Sequence, residues 1–158
     1  MLPLLREQGS GHIINVSSIA GFAPATGWSM YAATKYAVMG LSEVLAQDVK
    51  DLGIYVTVVA PGAFRTAFLT EDSLVFSSET LEEYKAVRES HAKYATMDGQ
   101  QQGDPDKAAD MFIQLAAMKQ PPVQFFMGSD AYNRARQKVE QLSENLEQFK
   151  ALSAQTDF

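Results

Sequence analysis

The chain has 158 residues, of which 46% are hydrophobic and 20% charged. That composition suits one domain with a real core, and it excludes wholesale disorder and two full domains. With no cysteine there are no disulfides or thiolate metal sites, and a reducing cytoplasm is the expected compartment; a net charge of -6 argues against general attraction to nucleic acid or anionic lipid.

Residues 2–8 read as the last turns of a helix, ended by Gly9, Ser10 and Gly11. The opening MLPLLREQGSGH lacks a basic n-region and a small-residue cleavage site, so no signal peptide is expected, and no apolar run is long enough to span a membrane. The β-branched run HIINV, 12–16, reads as a buried strand, and SSIAGFAPATG, 17–27, as loop. Residues 29–52 read as a helix buried on more than one side and stopped by Gly53. IYVTVVA, 54–60, is a second buried strand, after which Pro61-Gly62 turns the chain.

Residues 64–79 read as loop. Thr80 and Glu83 suit a capping box for a helix running to about 96. Asp104-Pro105 reads as the N-cap and first residue of a helix ending near 119, and VQFFMG, 123–128, as a third strand. Ser129 or Asp130 is expected to cap a last helix. Its apolar positions Tyr132, Ala135, Val139, Leu142, Leu146 and Phe149 form a heptad-like seam. Docking of that seam on the parent domain is the expectation, against a dimer contact or a lid.

Strand, helix, strand, helix, strand implies an α/β fold, a doubly wound parallel sheet of about three strands with flanking helices. The first strand would then expose an unpaired apolar edge, so the sequence reads as the back half of a larger domain. Charge is uneven as well. Residues 1–69 hold four of the 19 acids and four of the 13 bases, so the whole -6 falls in the remainder.

The chemistry-bearing residues lie in the first half. Tyr31 and Lys35 stand four apart on the expected helix and face one side. An ammonium beside a phenol favours the phenolate, and a tyrosine so placed can exchange a proton with a substrate oxygen. Ser18 stands at the C-terminal end of a strand, where open α/β sheets place their ligand crevice. Taken alone, a Tyr-x-x-x-Lys pair is more often a solvated pair. His12 and His91 are isolated, and no His/Asp/Glu cluster has metal-ligand spacing.

Four features occur in order and in context: NVSSIAG (15–21), thirteen residues from Ser18 to Tyr31, YAATK (31–35) and APGAFRT (60–66). Together they resemble the short-chain dehydrogenase/reductase family over essentially the whole chain. PPVQFFMGSDA (121–131) is similar to the hydroxysteroid-dehydrogenase-like branch. The resemblance implies a Rossmann-like fold and hydride transfer between NAD or NADP and an alcohol or carbonyl compound. Tyr31 would be the general acid/base, Lys35 would assist it and hold the nicotinamide ribose, and Ser18 would orient the substrate oxygen. Pro61 and Gly62 would admit the nicotinamide, and Thr66 would contact its carboxamide. Trp28, Phe64, Phe68, Leu69, Leu74 and Phe76 are candidate pocket lining for a small, apolar alcohol or ketone. The helix ending near Gln8 and the helix 29–52 would pair two copies.

Several family features are missing: the strand and glycine-rich turn that cradle the cofactor pyrophosphate, the residue that chooses NAD or NADP, and the Asn-Ala-Gly strand end. Gly9 and Gly11 precede a strand, and Gly99 and Gly103 follow none. The family's active-site asparagine would fall just before Met1. Residues 1–158 are therefore expected to be the C-terminal, catalytic portion of a single domain, a fragment without its nucleotide-binding half. The alternative is a truncated, non-catalytic remnant acting as a binding or oligomerisation module.

Overall fold

Three parallel strands carry the fold in this computed structural model, which describes residues 1–76 and 81–158. They run β1 (Gly11–Val16), β2 (Ile54–Pro61) and β3 (Gln124–Met127), in chain order across the sheet. The helices are α1 (Leu2–Gln8), α2 (Ser29–Val49), α3 (Lys85–Ala95), α4 (Pro105–Ala117) and α5 (Ser129–Ser153). In register, Gly11 stands opposite Ile54 and Val16 opposite Val59, while Val58 stands opposite Gln124.

The central strand shows why both faces must be covered. Successive side chains of β2 alternate between them. Val58 and Ala60 pack on Met39 of α2, and Ile54 and Val56 pack on Val49 of α2 with Leu5 of α1. Val59 packs the other way, on Leu115 of α4 and on Met127. Val58, Val59 and Leu115 are fully buried. The doubly wound α/β arrangement read from the sequence is the one found, and its three strands lie within a residue or two of the expected bounds. Among the described residues β1 pairs with β2 alone, and its far edge carries no strand.

Several boundaries follow their local chemistry. Gly9 ends α1 at φ 68°, in the left-handed region glycine enters at little cost. α2 runs on through one 3₁₀ turn, Lys50–Leu52, before Gly53 stops it. Asp104 caps α4, its Oδ1 accepting from the Asp106 N–H at 2.9 Å and the Lys107 N–H at 3.4 Å.

Three expectations need correction. α3 begins at Lys85 with Tyr84 as N-cap, so Glu83 lies outside the helix; Thr80, the other half of the expected capping box, lies outside the described residues. The N-cap of α5 is Gly128, so neither Ser129 nor Asp130 caps it; the Asp130 carboxylate instead accepts from the Ala63 N–H at 2.8 Å. The expected docking of the α5 seam is not found: of its positions only Ala135 is buried, beside Ala131 of the same helix, whereas Tyr132, Val139, Leu142, Leu146 and Phe149 are exposed, so the outer turns of the helix stand off the body.

His12 of β1 closes a relay across the sheet. Thr57 Oγ1 donates to the Pro122 carbonyl at 2.7 Å, which commits its hydrogen. It therefore accepts from His12 Nε2–H at 2.8 Å. Nδ1 is then the unprotonated nitrogen, buried and without a partner among the described residues. Desolvation holds the imidazole below its ordinary value. Between the lowered folded-state pKa and about 6.5 the unfolded chain binds more protons, so stability falls as pH drops through this window. Denaturant unfolding at about pH 7.5 and about pH 5.5 checks this. Wild type should lose more stability on acidification than His12→Gln, whose amide can still donate to Thr57. Equal losses would contradict the assignment.

Candidate functional site

The exit of β1 is fastened to α2. The Ser17 N–H continues the ladder to Val59 O at 2.8 Å, and Ser17 Oγ donates to the Lys35 carbonyl at 2.8 Å. Ser18 comes next and caps a 3₁₀ turn, Ile19–Gly21, its Oγ accepting from the Ala20 N–H at 3.1 Å. That turn lies so close to α2 that a Cβ on Gly21 would meet the Lys35 carbonyl oxygen at 2.7 Å. The Tyr36 hydroxyl then donates to the Phe22 carbonyl at 2.5 Å. Glycine at position 21 is thus required by close approach, and it brings Ser18 alongside the N-terminal turns of α2.

On α2, Tyr31 and Lys35 share one face. Lys35 Nζ lies 5.7 Å from the centroid of the Tyr31 ring and donates to the Val16 carbonyl at 3.4 Å. The C-terminal ends of the strands open beside them into a cavity of about 510 Å³. Ser18, Tyr31, Pro61, Gly62 and Thr66 all line this cavity, whereas Lys35 lies outside its wall. Of the candidate apolar lining, Trp28, Phe64, Phe68 and Leu69 are in the wall; Leu74 and Phe76 are not. Phe76 stacks on His91 instead, with centroids 4.3 Å apart.

An aromatic group closes one side. Trp28 lies 5.7 Å from Tyr31, 6.4 Å from Phe68 and 4.7 Å from Tyr94, centroid to centroid. α3 holds this group in place. Ser90 Oγ donates to the Thr26 carbonyl at 2.7 Å, and His91 Nε2 meets the Gly27 carbonyl at 3.2 Å. The Trp28 indole N–H is buried with no acceptor among the described residues.

Thr66 and Gly62 also have local structural roles. Thr66 caps a short 3₁₀ turn, Ala67–Leu69, accepting from the Phe68 N–H at 3.4 Å. Gly62 is needed because a Cβ there would meet Asp130 Oδ1 at 2.1 Å. Asp130 holds the turn after β2 through Ala63, and this role was invisible in the sequence; its pairing partner lies 67 residues away. Tyr94, Met97 and Arg134 also line the cavity and were read only as parts of helices and linker. Among the described residues no three His, Cys, Asp or Glu side chains gather as a metal site, and no helix is long and apolar enough to cross a membrane.

Comparison with known proteins gives the family and the fold. Residues 1–74 match the family model described as short chain dehydrogenase. Oxidoreductase BOA17 of Botryotinia fuckeliana is 37% identical over 154 residues, covering 97% of this chain and 56% of that protein. An uncharacterized oxidoreductase of Schizosaccharomyces pombe is 32% identical over 162 residues, covering 99% of this chain and 55% of that one. The crystal structure of a short-chain dehydrogenase from Streptomyces avermitilis superposes with a TM-score of 0.88 at 34% identity, covering 99% of this chain and 56% of that chain. The chain therefore spans about half the length of the relatives it matches.

Replacing Gly62 by Ala should drive the Asp130 carboxylate off the Ala63 N–H and destabilise the protein by about 1–3 kcal/mol. Asp130→Asn, which keeps an acceptor, should cost less. Denaturant unfolding of both variants checks the order, and a neutral Gly62→Ala contradicts it.

Proposed function

The chain belongs to the short-chain dehydrogenase/reductase family, and from that premise we propose that residues 1–158 form the catalytic portion of a single NAD(P)-binding Rossmann-fold domain. The proposed activity interconverts an alcohol and a carbonyl compound with NAD or NADP. One observation carries it. Ser18 and Tyr31 share one cavity at the C-terminal ends of the strands, with the Lys35 ammonium 5.7 Å from the Tyr31 ring.

Each residue's part follows from what it already bonds. Ser18 Oγ accepts from the Ala20 N–H, so its own hydrogen is free to donate to a substrate oxygen. The Tyr31 hydroxyl has no protein partner among the described residues and lines the cavity. It is the group placed to take the alcohol proton in oxidation and return it in reduction. The Lys35 charge stabilises negative charge that develops on the Tyr31 oxygen. When bound, the nicotinamide would take up or supply the hydride.

The residues present fit one end of that cofactor. Pro61, Gly62 and Thr66 line the cavity beside Ser18 and Tyr31, in place to hold a nicotinamide. Lys35 Nζ has a single long bond, to Val16 O, which leaves donors for ribose hydroxyls. No described strand leads through a G-x-G-x-x-G turn into a helix, so a pyrophosphate cradle would come from residues outside this chain. The free edge of β1 is where the further strands of a whole domain would pair.

The cavity wall is chiefly apolar, which favours an apolar alcohol or ketone. A second copy would cover α1 and α2, where Leu4, Leu41 and Val44 are 69%, 62% and 57% exposed. The absence of cysteine supports a reducing, cytoplasmic setting. The exposed seam of α5 and the open edge of β1 favour one other reading, a non-catalytic binding or oligomerisation module.

In the whole protein, Tyr31→Phe should lower turnover by about 10²–10⁴-fold while leaving cofactor affinity unchanged. Steady-state kinetics with a cofactor titration checks this, and surviving turnover contradicts it. The 158-residue chain alone should bind NADH and NADPH weakly. Saturable micromolar binding by calorimetry would overturn the assignment of the pyrophosphate site to other residues.

A further inference from the structure

We propose that Arg134 binds an anionic group on the substrate, so that the cavity takes an apolar carbonyl or alcohol compound bearing a carboxylate. This rests on the reading of the cavity as a substrate site. Arg134 lies in the second turn of α5, is half-buried, and is the one charged side chain among the described wall residues. Its only described hydrogen bond is from Nη2 to the Ala23 carbonyl. A guanidinium carries five N–H donors in a planar fork, so most of its capacity is unused.

No described carboxylate balances this charge. The two ion pairs among the described residues are Lys85–Glu89 and Arg136–Glu140. Asp130 stands one turn before Arg134, but its carboxylate is committed to the Ala63 N–H beside Gly62. One turn later stands Lys138, a like charge. The turn packed against this part of α5 is apolar, Ile19 and Ala23 against Ala131 and Ala135.

A cation in an apolar wall attracts an anion more strongly than it would in water. The planar fork also matches a carboxylate with two parallel bonds. Ser18 and Tyr31 line the same cavity, so a compound could present its carbonyl to them and its carboxylate to Arg134. Trp28, Phe68 and Tyr94 line the same cavity, Trp28 and Phe68 stacked at 25° and Tyr94 edge-on to Trp28, an aromatic lining that suits a ring.

Calorimetric titration of the whole protein with para-acetylbenzoate and with para-methylacetophenone tests this. The two ketones differ in the carboxylate. Wild type should bind the carboxylate at least about tenfold tighter, with the gap shrinking as salt is raised. Arg134→Gln keeps a donor for the Ala23 carbonyl and removes the charge. It should abolish the preference while leaving the neutral ketone's affinity within about twofold. Thermal unfolding of that variant checks the fold, and Arg134→Lys, which keeps the charge, should retain part of the preference. Equal binding of the two ketones, a preference that survives Arg134→Gln, or no binding of either would overturn the proposal. Binding needs no turnover, so an Arg134-dependent preference beside a Tyr31→Phe protein that still turns over would refute the catalytic reading alone.

Discussion

The site depends on how the chain leaves β1. Ser17 is pinned twice, by its N–H to β2 and by its hydroxyl to the Lys35 carbonyl. Both bonds are made by groups that burial would otherwise leave unsatisfied, at a cost of about 1–3 kcal/mol each. The strand end and the helix are therefore locked at one point, and Gly21 lets the following turn sit against the same carbonyl. Ser18 is delivered to the cavity wall by this fastening, and Tyr31 lies one turn before Lys35 on the helix that is fastened. The candidate site sits on a sheet-and-helix corner, with the aromatic wall supplied by less buried segments.

How far the sequence revealed this varied with the range of the interaction. The three strands were legible because each is a short β-branched or apolar run bounded by turn residues. The helix at Asp104-Pro105 was legible because its cap is local. That Ser18 and Tyr31 come to one cavity follows from the strand end and helix turn that carry them, whereas their roles, and that of Lys35, rest on the family resemblance. Asp130 was misread because Asp near a helix start usually caps it, whereas here the pull comes from Ala63, across the sheet. The start of α3 was misread because Glu83 suggested a local cap. The four residues from Leu81 to Tyr84 remain outside the helix, and Arg88 bonds the carbonyls of Leu81 and Glu82.

The last helix is the clearest case of pattern without context. A heptad-like seam says that an apolar face exists, and it does not say what covers it. In the structure only the first two turns, at Ala131 and Ala135, reach the core, and the same turns bring Asp130 to the β2 turn and Arg134 to the cavity. The base of α5 thus contributes to the cavity wall, while its outer turns carry Leu146 at 72% exposure. The charge asymmetry fits this division. The neutral first part, residues 1–69, builds the corner and two of the three strands, and the acidic remainder supplies β3 and helices whose outer faces meet solvent.

The central claim is that Ser18 and Tyr31 act on one substrate oxygen. A crystal structure of the whole protein with nicotinamide and a ketone bound tests it most directly. The account predicts the ketone oxygen within about 2.6–3.2 Å of both Ser18 Oγ and Tyr31 Oη. A carbonyl bound elsewhere in the cavity, with either hydroxyl turned away from it, would contradict the account.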